Sequence, residues 1–276
     1  MKNLGKLVLL SAMMACTIAA TAQKGLNGLI EAERAFARFT GSHTIRDGFL
    51  KFMDSTGLIF QQGRPLNAHQ VYQRQKAGPG LLSWDPDFAV VSASGGMGVT
   101  SGPYLIRPGA LTDTPVARGY FSSIWRINAH GEWKNLADLG TASAAAELPV
   151  KDIVSFSLSG KNLPPQEFSS VLLWDSILNK AITGRDSQQW EKFLTSESRM
   201  NLDRHAPVSG EKQVTALLLQ APDQLQLAAI GGGISPAGDF AYTYGVVTNG
   251  IRKENYLRAW IYRKKEWKLV LQTIQW

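Results

Sequence analysis

Ser94-Gly95-Gly96-Met97-Gly98-Val99-Thr100-Ser101-Gly102 reads as a glycine turn, a short β-prone run and a closing glycine. The layout returns as Ala237-Gly238-Asp239-Phe240-Ala241-Tyr242-Thr243-Tyr244-Gly245. Gly95 and Gly238, Thr100 and Thr243, and Gly102 and Gly245 are each 143 positions apart (245 − 102 = 143). Three pairs at one offset indicate two copies of one domain. Working outward, Gln70-Val71 and Gln213-Val214 keep the same offset, whereas Glu132-Trp133-Lys134 and Glu266-Trp267-Lys268 sit at 134. The second copy therefore has a shorter loop before its last hairpin.

Each copy places helices before strands. Leu26, Leu29, Ile30, Phe36 and Ala37 recur at helical spacing, and Glu33 shares their face. Ile45, Phe49, Phe52 and Met53 mark a second helix, and Asn67 is a natural N-cap for a third that runs to about Arg74. Strands are predicted over Phe88–Ser92, Val99–Ile106, Gly119–Asn128 and Glu132–Asp138, with His130-Gly131 as the hairpin turn between the last two. Helices followed by an antiparallel sheet give an α+β class. The copies are placed at residues 24–145 and 164–276. The Ala/Ser run and Pro164-Pro165 bound a linker over 146–163, in which Ile153-Val154-Ser155-Phe156 could add a strand.

The 276-residue chain is 44% hydrophobic and 18% charged, a globular composition. Lys2 and Lys6 precede an apolar run too short to span a bilayer, and Ala20-Thr21-Ala22 is a cleavage site. Residues 1–22 thus read as a signal peptide, and the mature chain is expected in the periplasm or outside the cell. Met14-Ala15-Cys16 also permits a lipoprotein alternative through Cys16, the sole cysteine. Without residues 1–22 the formal charge falls from +7 to +5 and is scattered, which argues against nucleic acid. No His pair has metal-ligand spacing beside a carboxylate, so neither metal nor cofactor is expected.

Glu33-Arg34-Ala35-Phe36-Ala37, Trp84-Asp85-Pro86, Ser94 to Gly102, Trp125-Arg126 and Trp133-Lys134 together resemble motifs of a secreted branch of the nuclear-transport-factor-2-like superfamily. That superfamily includes ketosteroid isomerase and the SnoaL-type polyketide cyclases. The resemblance implies two tandem cone-shaped domains, each with three helices packed on a curved antiparallel sheet. Such domains commonly pair through their sheets, which implies an internal pseudo-dimer and leaves room for self-association of the chain. The chain departs from the pattern at Gly95-Gly96, where the family has Gly-Asp and the second copy keeps Gly238-Asp239. The isomerase's catalytic set has no residue-by-residue match here, so the fold does not carry that activity across.

Several side chains could carry chemistry. Asp138, on the last strand of the first copy, is a general base if the cone buries it among aromatics, or an ordinary strand-end carboxylate if not. Glu33, on an apolar helix face, either lines a pocket or is a structural group bonded to the sheet, for example to Arg126. Trp84, Tyr104 and Trp125 are candidate pocket walls or plain core. Tyr242 and Tyr244 share one strand face, as do Arg258 and Trp260; together they would suit an anionic ligand, or a sheet face covered by the other copy. Asp203-Arg204-His205 reads as a surface turn. The leading expectation is binding of a small, largely apolar or aromatic molecule. An isomerase, dehydratase or hydrolase using Asp138 as base, and a structural protein with filled cones, are the alternatives.

Overall fold

The computed structural model describes residues 24–159 and 166–276. The predicted signal peptide, Cys16 and residues 160–163 of the expected linker lie outside the described residues. No helix among the described residues is long and apolar enough to cross a membrane.

The first half opens with α1 (Leu26–Ser42), α2 (Ile45–Phe52) and α3 (Ala68–Arg74), as the apolar spacing predicts. Thr44 and Asn67 cap α2 and α3 by accepting from the Asp47 and Gln70 amides. The strands are β1 (Met53–Gln61), β2 (Arg64–Asn67), β3 (Leu81–Trp84), β4 (Phe88–Val91), β5 (Met97–Arg107), β6 (Ala117–Ile127), β7 (Trp133–Ala142) and β8 (Val154–Ser157). They form one sheet in the order β2-β1-β7-β6-β5-β4-β8, with β3 paired to the far half of β5.

The second half repeats the plan with α4 (Phe168–Thr183), α5 (Ser187–Trp190), α6 (Glu211–Leu218) and a 3-10 turn at Glu191–Phe193. Its strands are β9 (Arg199–Leu202), β10 (Val208–Ser209), β11 (Leu225–Ile234), β12 (Phe240–Asn249), β13 (Arg252–Arg263) and β14 (Glu266–Ile274), in the order β10-β9-β14-β13-β12-β11. The two orders match from β2 to β4 and from β10 to β11, and the edge strand β8 belongs to the first sheet alone. β11 does alone what β3 and β4 do together, with an irregularity at Ile230 where the first sheet is broken by Asp85-Pro86.

One expectation needs correction. The sheets are mixed, because β1 runs parallel to β7, β9 parallel to β14, and β8 parallel to β4. Each parallel pair joins strands separated by several intervening elements, as a parallel pairing requires, whereas the antiparallel neighbours can be joined by short turns. The extra strand offered within residues 146–163 is present, as Val154–Ser157 forms the edge strand β8.

Bulges opposite Ile124/Trp125 and Ala259/Trp260 leave Leu136 of β7 and Val270 of β14 without a ladder partner and bend those strands, as an extra residue in an antiparallel ladder does. Helices cover one face of each sheet. On the other faces Val90, Val99, Ile124 and Leu139 join Phe240, Leu257, Ile261 and Leu271 in one buried apolar cluster. Strand alternation thus gives each sheet two dry faces. Within this layer Asn201 donates to Ser101 Oγ at 2.9 Å and Ser122 Oγ at 3.1 Å, and Arg199 pairs with Asp87 at 3.0 Å.

The repeated turns behave alike. Gly95 and Gly238 have φ of 68° and 69°, a region that favours glycine, and their amides donate to Ser92 and Ser235. Asp239 accepts from Ser235 Oγ at 2.9 Å and from the Ala93 amide at 2.8 Å, so it ties its own hairpin to that of the first half. The glycine at position 96 leaves the first turn closed by Ser92 and Met97 all the same.

Candidate functional site

Buried residues of α1 fall at Leu29, Glu33, Phe36 and Thr40, so helical periodicity aims Glu33 at the sheet. It is fully buried. Trp84 Nε1 donates to Oε1 at 2.6 Å; Thr100 Oγ1 and Trp125 Nε1 donate to Oε2 at 2.5 and 2.8 Å. Arg126, offered by the sequence as its partner, instead pairs with Asp54 at 3.2 Å. Arg126 neighbours Trp125 on β6, and alternation sends the two side chains to opposite faces. Burial pushes the Glu33 carboxyl up from its usual 4.5 to about 7, with Asp138 adding to the rise, although the three donors oppose it.

Asp138 sits on β7 opposite Ser123 of β6. Ser123 Oγ donates to Oδ2 at 2.7 Å and Asn135 Nδ2 approaches it at 3.5 Å. Oδ1 has no hydrogen bond among the described residues. Burial raises this carboxyl from 3.8 to about 6. Unlike Glu33 it keeps some accessible surface, and that surface belongs to a cavity.

The cavity, of about 160 Å³, lies between the helices and the sheet. Phe36, Phe49, Leu82, Ile106 and Phe121 form its apolar wall, and Glu33, Trp84, Tyr104 and Asp138 complete it. Gly140 matters to its shape, because a Cβ there would stand 3.4 Å from the Tyr104 ring. Like Asp138 Oδ1, the Tyr104 hydroxyl has no hydrogen-bond partner among the described residues. The cavity thus offers one unpaired acceptor and one unpaired donor in an otherwise apolar space. Of the predicted residues of the first half, Glu33, Trp84, Tyr104 and Asp138 come together, and Trp125 lies behind Glu33 as a donor.

In the second half the same cradle is filled. Asp175 of α4, in the place of Glu33, accepts from Thr243 Oγ1 and Tyr256 OH, both at 2.6 Å. Trp260 Nε1 donates to Thr243 Oγ1 at 2.8 Å, as Trp125 does to Thr100 at 3.1 Å. Arg258 takes the position of Ser123 and its ladder partner is Gln272, the counterpart of Asp138. Arg258 is wholly buried; it bonds Asp175 Oδ1 at 2.9 Å, Asn179 Oδ1 at 2.7 Å and Gln272 Oε1 at 2.6 Å. A guanidinium therefore occupies the volume that Ser123 leaves open.

Tyr242 and Tyr244 do not meet Arg258. They point to the opposite face of the sheet, in or against the inter-sheet layer, where Tyr244 lies 5.4 Å from the Phe60 ring. The anionic-ligand grouping of Tyr242, Tyr244, Arg258 and Trp260 is thus taken apart by alternation along β12 and β13. Asp203 is likewise more than a surface turn, since its Oδ1 accepts from the Ala142 amide at the end of β7. Sequence reasoning missed Asp175 and the donor role of Thr100 and Thr243. Part of their signal was available, because Thr100 and Thr243 keep the offset of 143 and Glu33 and Asp175 miss it by one, at 142. No three His, Cys, Asp or Glu side chains among the described residues gather as a metal set.

No family model matches the chain, and no curated protein does. Solved structures with NTF2-like and cystatin-like folds are similar to it. One is a protein of unknown function with a cystatin-like fold from Nostoc punctiforme, 13% identical over 41% of this chain and 94% of its own, at a TM-score of 0.34. Another is an NTF2-like protein from Novosphingobium aromaticivorans, 10% identical over 39% and 80%, at 0.33. A third, from Streptomyces avermitilis, carries a provisional dehydratase assignment in the NTF2-like family; it is 13% identical over 39% and 94%, at 0.34. The architecture described above rests on this chain's own element order and sheet topology.

Proposed function

We propose that the first-half cavity binds one small, largely apolar molecule, about a single ring in size, that carries one polar group. The supporting observation is the pairing of an apolar wall with two unpartnered groups, Asp138 Oδ1 and the Tyr104 hydroxyl. An apolar protein cavity of roughly 150 Å³ accepts benzene, so about 160 Å³ suits one ring and excludes a sterol nucleus. The second half, with its guanidinium in the equivalent space, serves as the partner that covers the back of the first sheet, an internal pseudo-dimer. The signal read in residues 1–22 supports action in the periplasm or outside the cell.

Titration of the mature chain with single-ring phenols, ketones and acids, followed by calorimetry, tests the binding reading. Saturable binding that Gly140→Leu abolishes, by filling the space beside Tyr104, is the expected result. Absence of saturable binding across that set would end it.

A second reading, proton abstraction from a carbonyl compound, is favoured by the same free Oδ1. A carboxylate that titrates near 6 is well matched to general-base work, and a nearby tyrosine hydroxyl can donate to the developing oxyanion. An Asp138→Asn variant that keeps full turnover on any substrate found would remove this reading.

A further inference from the structure

The cavity does not end at its mouth. Leu82 and Trp84 also line an adjoining outer groove, whose other walls include Arg38, Arg107 and Leu111. The charges of this groove are unevenly satisfied. Asp85 is paired with Arg34 at 3.0 Å, and Arg38 with Glu31. Arg107 alone has no carboxylate within ion-pair distance among the described residues. Its Nε donates to the Asp113 carbonyl at 3.1 Å, while the Asp113 carboxylate caps the Gly109 and Ala110 amides at 3.0 and 2.7 Å. The guanidinium is therefore anchored through Nε with both Nη groups free, the half of the fork that grips a carboxylate in two parallel bonds.

Electrostatics inside the cavity give a direction. Glu33 and Asp138 disfavour a second anion beside them, and apolar walls disfavour any charge. An amphiphilic acid would enter ring first and leave its charge at the mouth. Arg107 ends β5 three residues, roughly 10 Å, beyond Tyr104; the odd spacing keeps it off the cavity face, so it lines the outer groove with Leu82 and Trp84 and not the cavity, at a span that a ring with a short side chain covers.

We propose, on the basis of the cavity reading above, that the ligand is a small aryl or acyl carboxylate and that Arg107 binds its carboxylate. The ring occupies the space between Phe36, Phe121 and Trp84, and the acid group sits in the outer groove. A single unpaired cation matches a single negative charge.

The test compares 3-phenylpropanoate with its uncharged analogue 3-phenylpropanamide, by calorimetry at low and high salt, on wild type, Arg107→Gln and Arg107→Lys. Wild type should prefer the acid by about tenfold, the scale of one charge-assisted contact at a partly exposed site. Arg107→Gln should erase that preference, bringing acid and amide to the same affinity, and Arg107→Lys should retain part of it. High salt should shrink the preference in wild type only. Equal binding of acid and amide to wild type, or a preference that survives Arg107→Gln, overturns the role of Arg107 and leaves the cavity reading intact. Failure of both compounds to bind overturns this inference, and the cavity reading falls with it only if the wider set of single-ring compounds also fails to bind.

Discussion

Replacing Glu33 with glutamine should change stability in a way that depends on pH, and the sign follows from the direction of the shift. Burial raises the folded-state value from 4.5 to about 7. Between those values the folded protein holds a proton that the unfolded chain has released, so stability falls as pH rises. The contribution is fully present below about pH 4.5 and lost above about pH 7. At roughly 1.4 kcal/mol for each pH unit, the loss is about 3 kcal/mol. Glutamine carries no such dependence, but it has one acceptor oxygen where Glu33 uses two. With its oxygen facing Thr100 and Trp125, its NH2 meets the Trp84 N–H donor to donor, which costs about 1–3 kcal/mol. The variant should therefore be less stable than wild type near pH 5 and equal or better near pH 8. Urea unfolding followed by circular dichroism over that range measures the difference, with an unchanged slope confirming comparable unfolded states. A constant difference across the range would mean that the three donors keep Glu33 ionised throughout, and would refute the argument.

Arg258→Met should lower stability by about 3–5 kcal/mol, read as a large drop in unfolding midpoint, because it leaves Asp175 buried without its cation. The double change Arg258→Met with Asp175→Leu should recover much of that loss. Binding of a neutral ring compound should weaken as pH rises through about 6, since covering Asp138 favours its protonated form, and Asp138→Asn should flatten the profile. A rate catalysed by Asp138 as base would run the other way, increasing through the same pH. Small-angle scattering from the mature chain should fit two lobes in fixed contact through the sheet faces; an extended, flexible profile would contradict the shared apolar layer.

Periodic features were legible in the sequence and contextual ones were not. The spacing of Leu29, Glu33 and Phe36 placed a carboxylate on the buried side of α1, and Asp138 fell on a strand end among aromatics; the cavity lies between them. The mixed sheet escaped notice because β1 and β9 lie among the helices of each copy, far in sequence from the strands they join. Their pairing with β7 and β14 is a long-range event without a local signature. The split of Tyr242 and Tyr244 from Arg258 was implicit in strand alternation, but it required the ladder register of β12 on β13.

The divergence of the two copies turns on one ladder position. Thr100 with Trp125, and Thr243 with Trp260, form the same donor pair beside a helix carboxylate, so the cradle itself is duplicated. What differs is the cross-strand pair next to it, Ser123 with Asp138 in one half and Arg258 with Gln272 in the other. A serine is short and brings no charge, so the neighbouring carboxylates stay uncompensated, their pKa values rise and space remains in front of them. An arginine fills that space and supplies the missing cation, which turns a carboxylate that could exchange protons into half of a fixed ion pair. A buried carboxylate can be held either by its protonation or by a counter-charge. The first half takes the former course and keeps a cavity with chemistry on its wall, and the second takes the latter and becomes a core.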